Sequence, residues 1–318
     1  MITLYELHWS HYCEKIRLAL NYLQLPWQAV QIDAFSKREL RAFPLPGHLP
    51  NYTVPAIHDS ATDAFTIDST PILRYLDANH ARGRRLFPGD AANCEAIDRA
   101  LLELDTHLGL LARRFAYTQV ILECPALLAD LFLGHRAWGL YTWPVLRHVS
   151  GAFLGMLLMQ RFEFHRSEAL YLYEALEAHL LRLARQLEQR EFVVGSVFSA
   201  ADLALAAQLR PLSIVPFFAE HAGLAALFAR SQDVLEQWSG ESQSAYQSAV
   251  AQARTRRPPV RRIIRDVEAS MPFDATGKFA VNDQNAIWNR SAWLAPWHYY
   301  VSLRRNKRRA ELASAMLR

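Results

Sequence analysis

The chain has 318 residues, 51% hydrophobic and 21% charged, with 12 Gly and 15 Pro. That length holds two cored domains, and the composition excludes a disordered, collagen-like or low-complexity chain. The net charge of +4 is uneven: residues 251–318 hold 14 of the 35 basic and 5 of the 31 acidic side chains, leaving residues 1–250 net acidic.

Ile2 to Leu7 reads as a short strand. Ile16, Leu20 and Leu23 then recur at helical spacing, so Ser10 stands where a strand hands over to a helix N-terminus. Unpaired N–H groups and the helix dipole favour negative charge there. Two readings are open for Ser10: a plain N-cap, or a hydroxyl donor to a thiolate held at that point. Trp27 to Asp33 supplies a second strand, parallel to the first within a βαβ unit. Ser36 to Phe43 is expected to be a short helix broken by Pro44-Leu45-Pro46-Gly47. Thr53 to Ile57 reads as a strand entered through an X–Pro bond, and Ala64 to Ile67 as its hairpin partner. Asp68-Ser69-Thr70-Pro71 starts a helix, with Ser69 as the cap and Pro71 in a first turn where it loses no hydrogen bond. The order is βαβαββα, complete by about Asn79.

Arg82 to Asp90 is a charged linker, and helices follow. Ile97, Leu101, Leu104, Leu108, Leu111 and Phe115 form one amphipathic stripe; Leu172, Leu176, Leu180, Leu183 and Leu187 form another. Ser199 and Asp202 stand at capping-box spacing, with Phe198 and Leu203 in the hydrophobic-staple positions, so Ala200 to Arg210 is expected to be a buried helix. Arg256-Arg257-Pro258-Pro259 ends the helical body. Beyond it lies an extension rich in aromatic residues and ending in a basic run, read as a solvated face without a nucleic-acid-binding motif.

Cys13, Cys94 and Cys124 are odd in number and widely spaced, which gives no disulfide framework or zinc spacing and points to a reducing, cytoplasmic compartment. Glu6, His8, Glu14 and Lys15 interrupt any signal-peptide run. The longest apolar run, Val149 to Met159, falls short of the ~20 residues that span a bilayer and reads as a buried helix.

If the Val54–Pro55 bond is cis, the backbone of Val54 can pair with a bound peptide as an added strand would. Asp68 and Ser69 can then hold the amine and carboxylate of that peptide, and Ser10 faces its thiol. With these positions the chain resembles the glutathione transferase family. The resemblance rests on Ser10-His11-Tyr12-Cys13-Glu14-Lys15-Ile16-Arg17, Thr53-Val54-Pro55-Ala56, Asp68 to Leu76, and the capping segment Phe198 to Leu205. It is close over residues 1–80 and in outline over 93–235.

The resemblance implies a thioredoxin-like α/β domain at 1–80, an all-helical domain at 93–257 and an added C-terminal extension at 258–318. It implies glutathione as co-substrate, a hydrophobic electrophile in a cleft between the domains, a homodimer, and neither metal, nucleic acid nor integral membrane segment. Ser10 matches the thiol-activating serine of the Ser-type classes. Tyr12, Thr53, Val54, Pro55, Asp68 and Ser69 match glutathione-binding positions. The catalytic tyrosine position of other classes falls near Glu6, one residue from Tyr5. His11 and Tyr12 replace the commoner residues of the turn, and a stretch around 137–164 enlarges the helical domain. Trp138, Tyr141, Trp143 and Phe153 are placed either on the cleft wall or in ordinary helix packing. Cys13 is expected to be a buried thiol; the alternatives are a thiol reductase working through Cys13, or a catalytically silent interaction module.

Overall fold

The computed structural model describes residues 1–47, 51–123, 129, 143–161, 169–213, 218 and 221–239. Cys124, Trp138, Tyr141 and the 258–318 extension lie outside the described residues. Residues 1–260 make one compact unit.

The first part of that unit is a thioredoxin-like layer of four strands and two helices: β1 (Ile2–Glu6), α1 (His11–Tyr22), β2 (Trp27–Gln31), β3 (Ala56–Asp59), β4 (Ala64–Ile67) and α2 (Ser69–His80). The sheet order is β2-β1-β3-β4. β1 runs parallel to β2 with Leu4 opposite Ala29, and antiparallel to β3 with Leu4 opposite Ile57; β3 and β4 form the expected hairpin. Ile2, Leu4 and Glu6 alternate onto the buried face of β1, where period-2 spacing puts them on one side. Leu4, Ile57, Ile16, Leu20, Ile72 and Leu76 are fully buried, so the layer between the sheet and its two helices carries this core.

Two local expectations are corrected. The Ser36–Phe43 helix is only a 3-10 turn, Arg38–Leu40. The Asp33 carboxylate holds the N–H groups of Phe35 and Ser36, and Lys37 takes the left-handed conformation (φ 47°), so a regular helix cannot start there. The third strand begins at Ala56, after the proline, and runs to Asp59; Thr53 and Val54 stay outside the ladder.

The second part is helical: α3 (Ala91–Glu103), a π-turn (Leu104–Leu108), α4 (Gly109–Glu123), α5 (Pro144–Arg161), α6 (Ala169–Leu187), α7 (Ala200–Ser213) and α8 (Ala225–Trp238). The first stripe holds from Ile97 to Leu108, but beyond the π-turn Ala112 occupies the buried place expected for Leu111, and Phe115 is buried again. A π-turn adds one residue to the helical repeat and shifts the phase beyond it. In the second stripe Leu176, Leu180 and Leu183 are buried and Leu187 is half-buried; Leu172 falls where no side chain is described.

The capping box forms in a variant geometry. The Asp202 carboxylate accepts from Ser199 N–H at 2.9 Å and from Val193 N–H at 2.8 Å, while Ser199 Oγ accepts from Ala201 N–H at 3.3 Å. Burial pushes the Asp202 carboxyl above its ordinary range. From Ala200 to Leu212 every residue of α7 is buried, and α7 packs directly on α1. That contact makes the helix behind Ser10 part of the helical core. The expected buried helix at Val149–Met159 is α5, and only one side of it is buried: Leu154 and Leu158 are covered, whereas Val149, Phe153 and Leu157 are open. Among the described residues no helix is long and apolar enough to cross a membrane.

Candidate functional site

Three turns of the thioredoxin-like layer carry the site. The first is the β1–α1 junction. Ser10 is extended (φ −75°, ψ 120°) and caps α1: its Oγ accepts from Cys13 N–H at 3.4 Å, and its carbonyl accepts from Glu14 N–H at 2.9 Å. The cap bond is long, and a hydroxyl that accepts there keeps its hydrogen for a donor role. The N-cap reading of Ser10 is thus realised, and it is compatible with donation.

The second turn precedes β3. The Val54–Pro55 bond is cis; Pro55 is buried, Val54 half-buried and Thr53 exposed. The third is the N-terminus of α2. Asp68 donates its N–H to the Pro55 carbonyl at 3.1 Å, which ties the second and third turns together. Asp68 takes φ 78°, a conformation side chains rarely adopt, and its Oδ1 accepts from Ser69 N–H at 2.6 Å. Asp68 itself is exposed, but Ser69 is only 1% exposed and its Oγ has no hydrogen-bond partner among the described residues. A buried hydroxyl without a partner at a helix N-terminus is costly unless something occupies it.

Beneath the first turn lies a cluster of charges. Arg17 pairs with Glu6 and Glu14, and Arg210 of α7 pairs with Glu14; Arg17 also donates to the His8 carbonyl at 2.9 Å, and Gln31 to Glu6 at 2.6 Å. All four charged groups are almost fully buried, and their two positive and two negative charges cancel. Ser10 lines a small cavity here with His8, Trp9, His11, Glu14, Arg17, Arg210 and Pro211.

A second polar cluster gathers on the π-turn. Asp105 accepts from Lys15 Nζ at 2.6 Å, Thr70 Oγ1 at 3.0 Å and Gln208 Nε2 at 2.9 Å, and its carbonyl accepts from the Tyr12 hydroxyl at 2.7 Å. One aspartate therefore joins α1, α2 and α7. Gly109 ends the turn, and a Cβ there would stand 2.6 Å from the Tyr12 hydroxyl oxygen and 2.7 Å from Gln208 Oε1. Any other residue there would force the Tyr12 phenol and the Gln208 amide to shift.

The expected site residues divide accordingly. Ser10, Val54, Pro55, Asp68 and Ser69 lie on the three turns. Tyr12 directs its hydroxyl into the helical region, and burial pushes that phenol well above its ordinary value. Cys13 is completely buried, which pushes its thiol up to about 12. His11, 7% exposed, is held neutral: burial first, then the Arg113 charge, pushes it down to about 3. Trp143 and Phe153, read as cleft wall or packing, are 64% and 56% exposed. Lys15, Asp105, Gln208 and Arg210 were not read as part of any site. The only sequence signal for them is that Lys15 and Arg17 share a helix with buried neighbours. Among the described residues no three His, Cys, Asp or Glu side chains gather as a metal would require.

A family profile described as the N-terminal domain of glutathione S-transferase matches residues 4–84. Among solved structures, an unclassified glutathione S-transferase of Bombyx mori is 18% identical and aligns over 79% of this chain and 96% of its own, with a TM-score of 0.54. A glutathione S-transferase of Methylobacterium radiotolerans, in complex with glutathione sulfonate, is 21% identical over 77% of this chain and 93% of its own, with a TM-score of 0.45. A search of curated proteins gives no match. At 18% identity the likeness to the Bombyx mori structure speaks to the fold alone; the profile speaks to the domain that bears the three turns. Residues 4–84, which bear the three turns, thus match the N-terminal domain of the glutathione S-transferases.

Proposed function

We propose that the protein binds glutathione across the three turns and directs its thiolate at a hydrophobic electrophile. The observation that carries this reading is the buried, partnerless Ser69 Oγ at the start of α2, fixed beside Asp68 and one hydrogen bond from Pro55. In this reading Ser69 and the first N–H groups of α2 take the γ-glutamyl carboxylate, and Asp68 takes the amine beside it. Val54, outside the ladder, pairs with the cysteinyl backbone, with Thr53 flanking; Tyr12, its hydroxyl committed to the Asp105 carbonyl, supports the turn from behind.

Ser10 then donates its hydroxyl hydrogen to the glutathione sulfur. A thiol of pKa ~8.5 is mostly protonated at neutral pH, and a helix N-terminus with a hydroxyl donor lowers that value. The charge cluster below the turn sums to zero, so it adds no net charge to oppose an anion at Ser10. The ionised sulfur attacks the electrophilic carbon, a carbon–sulfur bond forms, and the leaving group departs with its electron pair. Reduction through Cys13 is disfavoured, because a thiol held near 12 is not ionised at neutral pH.

Titration calorimetry with reduced glutathione tests the reading. Wild-type protein should release heat with one site per chain, and Ser69→Ala should weaken binding about tenfold, the effect of losing one hydrogen bond to a charged group. Equal affinity in wild type and Ser69→Ala, or no heat at all, refutes it. A homodimer with the electrophile bound between the thioredoxin-like and helical parts completes the proposal.

A further inference from the structure

Ser69 stands between two anchors at the start of α2. On one side Asp68 donates its N–H to the Pro55 carbonyl at 3.1 Å, which ties the helix to the turn before β3. On the other side Thr70, the second residue of α2, donates its hydroxyl to Asp105 Oδ2 at 3.0 Å, and Lys15 Nζ donates to the same hydroxyl at 3.4 Å. A hydroxyl both donates and accepts, so the carboxylate and the ammonium use Thr70 at both ends. Threonine is branched at Cβ and stiff at χ1, and a hydroxyl held at both ends therefore holds the backbone of that turn.

Asp105 is itself a fixed point. Its carboxylate takes Lys15 of α1 at 2.6 Å and Gln208 of α7 at 2.9 Å, and its carbonyl takes the Tyr12 hydroxyl at 2.7 Å. It stands in the π-turn, a rare helical form that recurs at functional sites. The ends of helices fray where nothing holds them, and Asp68 and Ser69 lie at such an end. A ligand that had to order this turn on arrival would lose affinity by the cost of ordering it.

We infer that Thr70 is a positioning residue for glutathione: hung from Asp105, it preorganises the first turn of α2 so that Ser69 Oγ is in place before the γ-glutamyl carboxylate arrives. The inference rests on the glutathione reading above. It makes the subsite a joint product of the sheet, which anchors Asp68, and of the helical region, which anchors Thr70.

Titration calorimetry with reduced glutathione tests it on the full chain, comparing wild type with Thr70→Val, Thr70→Ser and Tyr75→Phe. Thr70→Val keeps the branched shape and removes the hydroxyl; it should raise the glutathione dissociation constant about fivefold, the scale of one hydrogen bond. Thr70→Ser keeps the hydroxyl and should restore wild-type affinity. Tyr75→Phe removes a 2.8 Å bond to Asp59 from the same helix beyond its first turn, and should leave the dissociation constant alone whatever it does to the melting temperature. A Thr70→Val protein that melts lower yet binds glutathione as the wild type does would make Thr70 structural only, overturning the inference while leaving the glutathione reading intact. Equal weakening by Thr70→Val and Tyr75→Phe would overturn it as well. A wild type that releases no heat with glutathione would refute both.

Discussion

Asp105→Leu offers the sharpest test of how the two halves of the molecule are held together. Lys15 Nζ is fully buried, and its ion pair is Asp105 at 2.6 Å. Burial lowers the Lys15 pKa, and the Asp105 charge pulls it back toward the ionised form. Removing the carboxylate leaves a buried ammonium without its counter-charge, which costs about 3–5 kcal/mol. Thr70 and Gln208 lose an acceptor as well, worth about 1 kcal/mol each when counted separately. Against a typical total of about 5–15 kcal/mol, the single variant should sacrifice a large share of the folding stability. Lys15→Met with Asp105→Leu removes both charges while keeping their bulk, and should recover most of that loss. Urea unfolding followed by tryptophan fluorescence measures all three variants in one cycle with Lys15→Met. A loss below about 1 kcal/mol in Asp105→Leu, or a double variant as unstable as the sum of the singles, would refute this account of the cluster.

Ser10→Ala should lower the conjugation rate constant with an aryl halide roughly a hundredfold, the scale of one lost donor to a reacting anion, while leaving the glutathione dissociation constant within about twofold. An equal loss in both would make Ser10 a binding residue only. Cys13 should resist alkylation in the native protein, with the less buried Cys94 labelled first, and Cys13→Ala should keep conjugation activity; rapid labelling of Cys13 that abolishes turnover would restore a thiol mechanism. His11 gives a pH dependence. An unfolded histidine takes up a proton below about 6.5, but folded His11 does not until about pH 3, so its contribution is fully present above 6.5 and is lost as pH falls between those values. His11→Gln should flatten that acid slope in urea midpoints, and an unchanged slope would contradict the burial.

The thioredoxin-like layer was legible because its signals are local. Alternation in β1 and the Asp59–Asp63 turn of the hairpin each lie within a few residues of the element they specify, and α2 starts where expected, although its cap is Asp68 and not Ser69. The Ser199–Asp202 box was legible for the same reason. The π-turn at Leu104–Leu108 was not: the apolar spacing runs through it without interruption, and only the burial of Ala112 in place of Leu111 exposes the added residue. The Ser36–Phe43 segment misled because helix formers there compete with an Asp33 side chain that captures the backbone first. Ser10, Val54, Pro55, Asp68 and Ser69 were singled out through family resemblance, since no spacing rule joins positions so far apart. Asp105 and Arg210 were missed because their partners stand on other elements, 35 to 103 residues away for the Asp105 carboxylate, where periodicity is silent. The buried charges of Glu6, Glu14 and Arg17 read in sequence as ordinary polar punctuation.

Gly109 has a bearing on how mutational surveys of this chain should be interpreted. Any side chain at that position would displace the phenol of α1 and the amide of α7, both of which bond to Asp105. Substitutions at 109 would therefore loosen the Asp105 cluster and lower activity, although Gly109 has no part in the proposed chemistry. Intolerance there would record a spacing requirement between helices, not a chemical role.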